Sequence, residues 1–171
     1  MLRYFLASIF ALMVWTTVAS AQDIAGYWKS IDDKTHKPRS IVLVYPYQGK
    51  YFGRIVATYN KETGQIQDTY MKPERKAAAV AGEPYYSGMD IIWDLEPNGN
   101  KFTNGKILDP ENGKVYGAEL WKQDGNLIVR GKILMFGRNQ TWTPIQESDF
   151  PAGFKKPDVS TLVPKVPVEA K

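Results

Sequence analysis

The sequence predicts an all-β chain: an eight-stranded antiparallel up-and-down barrel, with a long loop at 60–88 and an extended C-terminal tail. Three observations carry this. Apolar and polar residues alternate with period two in short segments, the mark of a half-buried strand. Asn98-Gly99, Asn112-Gly113 and Asp124-Gly125 are hairpin dipeptides, because their residues tolerate positive φ. The segments follow one another at close spacing, as in sandwiches and barrels.

The elements follow in order. Residues 1–21 read as a Sec-type secretory signal: Arg3, an apolar run from Tyr4 to Val18, then Ala19-Ser20-Ala21 as a small-x-small cleavage pattern. The run is shorter than the ~20 residues a membrane span needs, and no basic stop-transfer cluster follows. Cleavage after Ala21 leaves a secreted or periplasmic chain of 150 residues, enough for one barrel domain at 22–146, with no later transmembrane segment. Strands are expected near 25–30, 39–46, 50–59, 89–95, 101–108, 114–122, 126–133 and 138–144. The third shows the period best, with Tyr51, Gly53, Ile55, Ala57 and Tyr59 on one face. Asn104-Gly105 falls inside a strand and reads as a bulge. In the 60–88 connection, Pro73–Ala81 is a candidate short helix; loops of that length are usually functional or mobile. The tail, 147–171, carries four prolines and reads as extended or disordered, with Phe150 or Phe154 packing on the barrel.

Composition excludes several functions. Loss of Arg3 takes the net charge from +4 to +3. Lys and Arg are scattered, which argues against a nucleic-acid partner; the mild charge helps only weakly at an anionic surface. The chain has no cysteine, hence no disulfide, thiol nucleophile, Cys-based zinc site or lipid-modified N-terminal cysteine. His36 is the only histidine and has no placed partner for acid–base or zinc chemistry. No Gly-x-Ser-x-Gly elbow, P-loop or dinucleotide fingerprint occurs. Asp94–Gly99 superficially resembles a calcium loop, but its twelfth position is Gly105, so it reads as a hairpin turn. Asp109-Pro110-Glu111-Asn112-Gly113 is likewise a turn. Neither a metal nor another cofactor is expected, and no catalytic set is found.

Several segments together resemble the bacterial exported domain-of-unknown-function family 2147. They include Gly26-Tyr27-Trp28, Ile31–Thr35, Ser40-Ile41-Val42, Tyr51–Ile55, Gly105–Tyr116, Val129-Arg130-Gly131 and Phe136–Trp142. The resemblance covers nearly the whole mature region and implies a calycin-like barrel, broadly similar to lipocalins, with no settled activity. The 60–88 segment matches poorly. Thr143-Pro144 also follow Trp142, where a lipocalin-type barrel would place a basic residue over the first-strand tryptophan, Trp28.

Up-and-down topology places short connections at the Trp28 end and the longest ones, 31–38 and 60–88, opposite. The barrel is therefore expected to have a closed base and an open mouth. Trp28, Trp142 and Arg130 are assigned to the closed end, Arg130 stacking on one of the two indoles. A turn at 134–137 would put Arg138 at the mouth, either facing a ligand's acid group or paired with Asp32, Asp33 or Asp109. Tyr59 and Tyr116, with Ile55, Ala57, Met89, Ile91 and Asp33, complete the expected mouth and upper cavity. Asp32-Asp33-Lys34-Thr35 reads first as an Asx-type turn. The favoured function is non-catalytic binding of a small apolar or amphipathic, possibly acidic lipid-like, molecule. The alternatives are a filled-barrel module for protein partners in the envelope and, third, a hydrolase using Asp32 or Asp33.

Overall fold

A computed structural model describes residues 22–134 and 136–168. The expected signal segment lies outside the described residues. Nine strands run in chain order: β1 (Gly26–Ile31), β2 (Pro38–Tyr47), β3 (Lys50–Tyr59), β4 (Ile66–Thr69), β5 (Asp90–Asn98), β6 (Lys101–Asp109), β7 (Lys114–Gln123), β8 (Asn126–Ile133) and β9 (Phe136–Pro144). Eight of them form one closed antiparallel barrel, because β1 pairs with both β2 and β9. The ninth, β4, is an extra strand on the mouth end of β3, alongside Ala57–Tyr59. The β1–β9 seam is short, two pairs at Trp28–Pro144 and Lys29–Thr143.

The strand bounds follow the alternation, with three corrections. First, β9 begins at Phe136 and the β8–β9 connection is a two-residue turn, so Arg138 pairs with Gly131 rather than lying beside Ile133. Second, Pro73–Ala81 is not helical. It forms tight turns (Val80 N–H to Ala77 O, Glu83 N–H to Val80 O) inside a loop closed by the Lys76–Tyr85 bridge. Pro73 and Pro84 each lack the amide donor a helix ladder uses. Third, β3 does not hold one face throughout. Ile41 pairs with Ala57 but Val42 with Ile55, which leaves Val56 as a bulge. Ile55 stays on the inner face with Val42, whereas Ala57 goes to the outer face with Ile41.

The closed end is packed. Trp28 is buried, donates its indole N–H to Ile24 O (2.9 Å) and lies under Lys122 Nζ, 5.6 Å from the ring centre. The cation over the β1 tryptophan thus comes from β7. Arg130 does not stack there: Leu127, Val129 and Gly131 take the inner face of β8, so period two sends Arg130 outward, onto Asn139 (3.3 Å).

The C-terminal segment is extended, with 3-10 turns at Glu147–Asp149 and Val159–Thr161, and is bound to the outside of the barrel. Phe150 meets Tyr27 edge-on (5.2 Å) and stacks on Phe154 (4.8 Å). Phe150, Phe154 and Leu162 pack against buried hydrophobics. Farther along, Arg54 and Asp90, both buried, form an ion pair of 2.7 Å. Arg54 Nη2 also donates to Val163 O (2.6 Å), and Lys165 N–H donates to Asp90. Tyr45 O–H donates to Asp90 as well (2.9 Å). Tyr45 and the tail backbone thus add partners to the buried pair, and no fully buried side-chain polar atom among the described residues lacks one, the condition for tolerating charge in a core.

Candidate functional site

At the mouth end the barrel encloses an open cavity of about 260 Å³. Its apolar part is formed by Ile55, Ile91, Ile107, Leu108, Val129 and Trp142; its charged part by Arg39, Lys61, Arg75, Arg138, Asp109 and Glu111. Strand alternation explains the first group. Val129 and Gly131 of β8 and Gln140 and Trp142 of β9 share the inner face with Tyr116 of β7. Loop and strand-end positions explain the second group, since the long connections all reach this end.

The polar wall is largely prearranged. The Ser30 and Ser40 hydroxyls bond one another (2.7 Å) between β1 and β2. The Trp142 indole N–H donates to Gln140 Oε1 (3.1 Å). Glu111 ties two basic residues to the rim, Arg39 at 2.7 Å and Lys61 at 2.5 Å. Burial alone would raise the Glu111 carboxyl, but these two cations outweigh it and hold it below its ordinary value. Arg39 also approaches Asp32 (3.6 Å).

Arg75 differs. Its guanidinium lies 4.6 Å from the Tyr86 ring centre and forms no ion pair among the described residues. The loop that carries it is fixed by Asp68, 4% exposed, which accepts from the Thr58 and Ser87 hydroxyls and from the Arg75 amide (3.1 Å). Tyr86 O–H in turn donates to Pro110 O (3.3 Å), joining this loop to the β6–β7 turn.

Of the residues expected at the mouth, the structure brings Arg138, Tyr59, Tyr116, Ile55 and Ile91 to the cavity. Tyr59 borders it with a phenol pushed up to about 12, mainly by burial and further by Asp149. Ala57 and Met89 are buried but do not line the cavity, Ala57 because of the bulge at Val56. Asp33 does not line it either; it forms an ion pair with Arg138. Trp142, assigned to the closed end, is a wall of the cavity itself. Asp32 accepts from the Lys34 and Thr35 amides (3.0 and 2.8 Å) and from the Thr35 hydroxyl, an Asx-type turn. Those bonds, the Thr35 amide first, hold its carboxyl below the ordinary range, which suits a turn and not a general base. Sequence reasoning missed Arg75, Arg39 and Lys61. The length of the 60–88 loop was the available signal for Arg75, but nothing in Pro73-Glu74-Arg75-Lys76 separates one basic residue from the next.

Comparison with known proteins agrees with the fold. The sequence profile of uncharacterized proteins conserved in bacteria (DUF2147) matches residues 26–144. No curated protein matches the chain. A solved structure, protein HP1028 from the human pathogen Helicobacter pylori, described as belonging to the lipocalin family, superposes with a TM-score of 0.59 at 16% identity. The match covers 74% of this chain and 86% of that one. At that identity the likeness is one of fold.

Proposed function

This chain belongs to the DUF2147 family of uncharacterized bacterial proteins, and we propose that it is an exported, non-catalytic carrier for a small amphipathic molecule with an acidic head. The observation that carries the reading is the division of one cavity into an apolar interior and a cationic rim. Such a site suits a ligand with a hydrocarbon body and one anionic end. Burial of the body supplies affinity, at about 25 cal/mol per Å² of apolar surface. The rim supplies orientation, because a guanidinium fork meets a carboxylate or phosphate through two parallel bonds.

Arg75 is the lead residue for the acid, with Arg138 second, since Arg138 would have to share itself with Asp33. Tyr59 and Tyr116 offer polar tips beside apolar rings, which suits the junction between head and body. The volume, about 260 Å³, favours a short or medium chain over a bulky lipid. The open cavity weighs against the filled-barrel module, and the tied-down Asp32 and Asp33 weigh against a hydrolase.

Isothermal titration of the mature chain with medium-chain fatty acids and their matching alcohols tests this. Saturable one-to-one binding that is weaker for the alcohols is expected. Absence of heat for any chain length, or equal affinity for acid and alcohol, contradicts the proposal.

A further inference from the structure

The last pair of the β8–β9 hairpin, Ile133 with Phe136, lies at the mouth end of the barrel, with Leu134 just beyond it. Ile133 is 57% exposed, Leu134 93% and Phe136 80%. Neither Leu134 nor Phe136 packs against the core. Leu134 also sits at φ +53°. Two hairpins of the closed end use positive φ in the usual way, with a polar residue and then glycine: Gln48-Gly49 and Asp124-Gly125. A leucine there combines an unfavourable backbone with a fully wetted apolar side chain, and no contact among the described residues compensates for either.

The charges of the hairpin itself have one sign. Residues 126–146 contain Arg130, Lys132 and Arg138 and no Asp or Glu. Lys132 pairs with Glu119 and Arg138 with Asp33, but Arg130 forms no ion pair among the described residues. The Arg138–Asp33 contact brings the β1–β2 loop beside the hairpin. Lys34 and Lys37 of that loop are exposed and likewise without ion pairs among the described residues.

We propose that this hairpin is a membrane-docking finger. Leu134 and Phe136 enter the interfacial layer of an anionic bilayer, while Arg130, Lys34 and Lys37 meet its head groups. The charge of the hairpin complements an anionic surface, and a few inserted apolar side chains with flanking cations are sufficient for reversible binding. A single two-residue turn is far smaller than a stable protein interface needs. Docked this way, the finger holds the cavity mouth against the lipid surface. The inference stands whether or not the cavity binds a ligand.

The test is flotation of the mature chain with phosphatidylcholine vesicles, with and without phosphatidylglycerol, beside the double variant Leu134→Asn/Phe136→Thr. Asn tolerates positive φ and Thr suits a strand, so the variant keeps the fold. Binding of the parent to the anionic vesicles, weakened by salt, is expected. The double variant should lose about tenfold or more in partition, given the apolar area removed. Lys34→Gln and Lys37→Gln should each cost about fivefold. No binding by the parent, or equal binding by the double variant, overturns the proposal. So does a parent dimer that the double variant abolishes without any lipid binding, because the tip is then a contact between copies. Fatty-acid titration of the same variant reads the cavity separately, so failure of the finger and failure of the carrier reading are distinguishable.

Discussion

Arg75 holds its guanidinium 4.6 Å from the centre of the Tyr86 ring, beside a cavity whose other rim arginines, Arg39 and Arg138, each have a carboxylate partner. The ring fixes the side chain without neutralising it, since a cation–π contact leaves the charge available to a carboxylate. Arg75→Ala should therefore weaken an acidic ligand by about 1.5–3 kcal/mol, the scale of a charged hydrogen bond. Arg138→Ala should cost less, because part of that cation is already spent on Asp33. Calorimetry on both variants checks the order; a larger loss for Arg138 would reverse the assignment.

The loop that carries Arg75 should loosen in acid. Burial on its own would raise the Asp68 carboxyl, but the Thr58 and Ser87 hydroxyls and the Arg75 and Glu74 amides outweigh it and lower it. A depressed acid stabilises the fold above its unfolded-state pKa of about 3.9, and the stabilisation fades as pH falls through the folded value. Thermal unfolding of the parent and Asp68→Asn should differ most near neutrality and converge well below about pH 4. A gap that widens toward acid would show the opposite sign.

Gly131 and Gly105 share the inner faces of β8 and β6 but should respond in opposite ways. A Cβ on Gly131 meets Ile107 and Tyr116 at 3.8 Å, ordinary contact, whereas on Gly105 it lies 2.6 Å from Leu95. Gly131→Ala should be neutral or stabilise by about 0.5 kcal/mol. Gly105→Ala should destabilise by about 1–3 kcal/mol. Gly131→Phe should fill the cavity and abolish fatty-acid binding in a folded protein. Denaturant midpoints and calorimetry read all three.

Arg54 and Asp90 should make the C-terminal segment part of the fold. Asp90→Ala strands a buried guanidinium and should cost about 3–5 kcal/mol. Arg54→Met/Asp90→Leu should recover much of that, since neither charge then remains. Truncation after Thr161 should lower the melting temperature of the whole barrel, because the carbonyl of Val163 and amide of Lys165 are lost together. An unchanged melting temperature would mean that the segment is only laid on the surface.

The barrel was legible in the sequence because β2, β3 and β5–β8 carry either strict alternation or hairpin glycines, both of which are local signals. The site was less so. The Val56 bulge moves Ala57 off the cavity face, and nothing in Ile55-Val56-Ala57 marks one extra residue. The four residues of β4 are too few to show a period, and they gain their place by pairing with β3. Leu134-Met135 lacks the residues that signal a tight turn, so the hairpin was read as longer and Arg138 was placed two residues too near its tip. Arg75 reaches the cavity through Asp68, Thr58 and Ser87, contacts made across the fold.

Native mass spectrometry of the mature protein, purified from an exporting host and repeated after denaturation, tests the central claim most directly. The carrier account predicts a folded mass above that of the chain and release of one small acidic amphiphile on denaturation, with loss of that adduct in Gly131→Phe. A bare chain mass, with no uptake from a lipid extract, would contradict it.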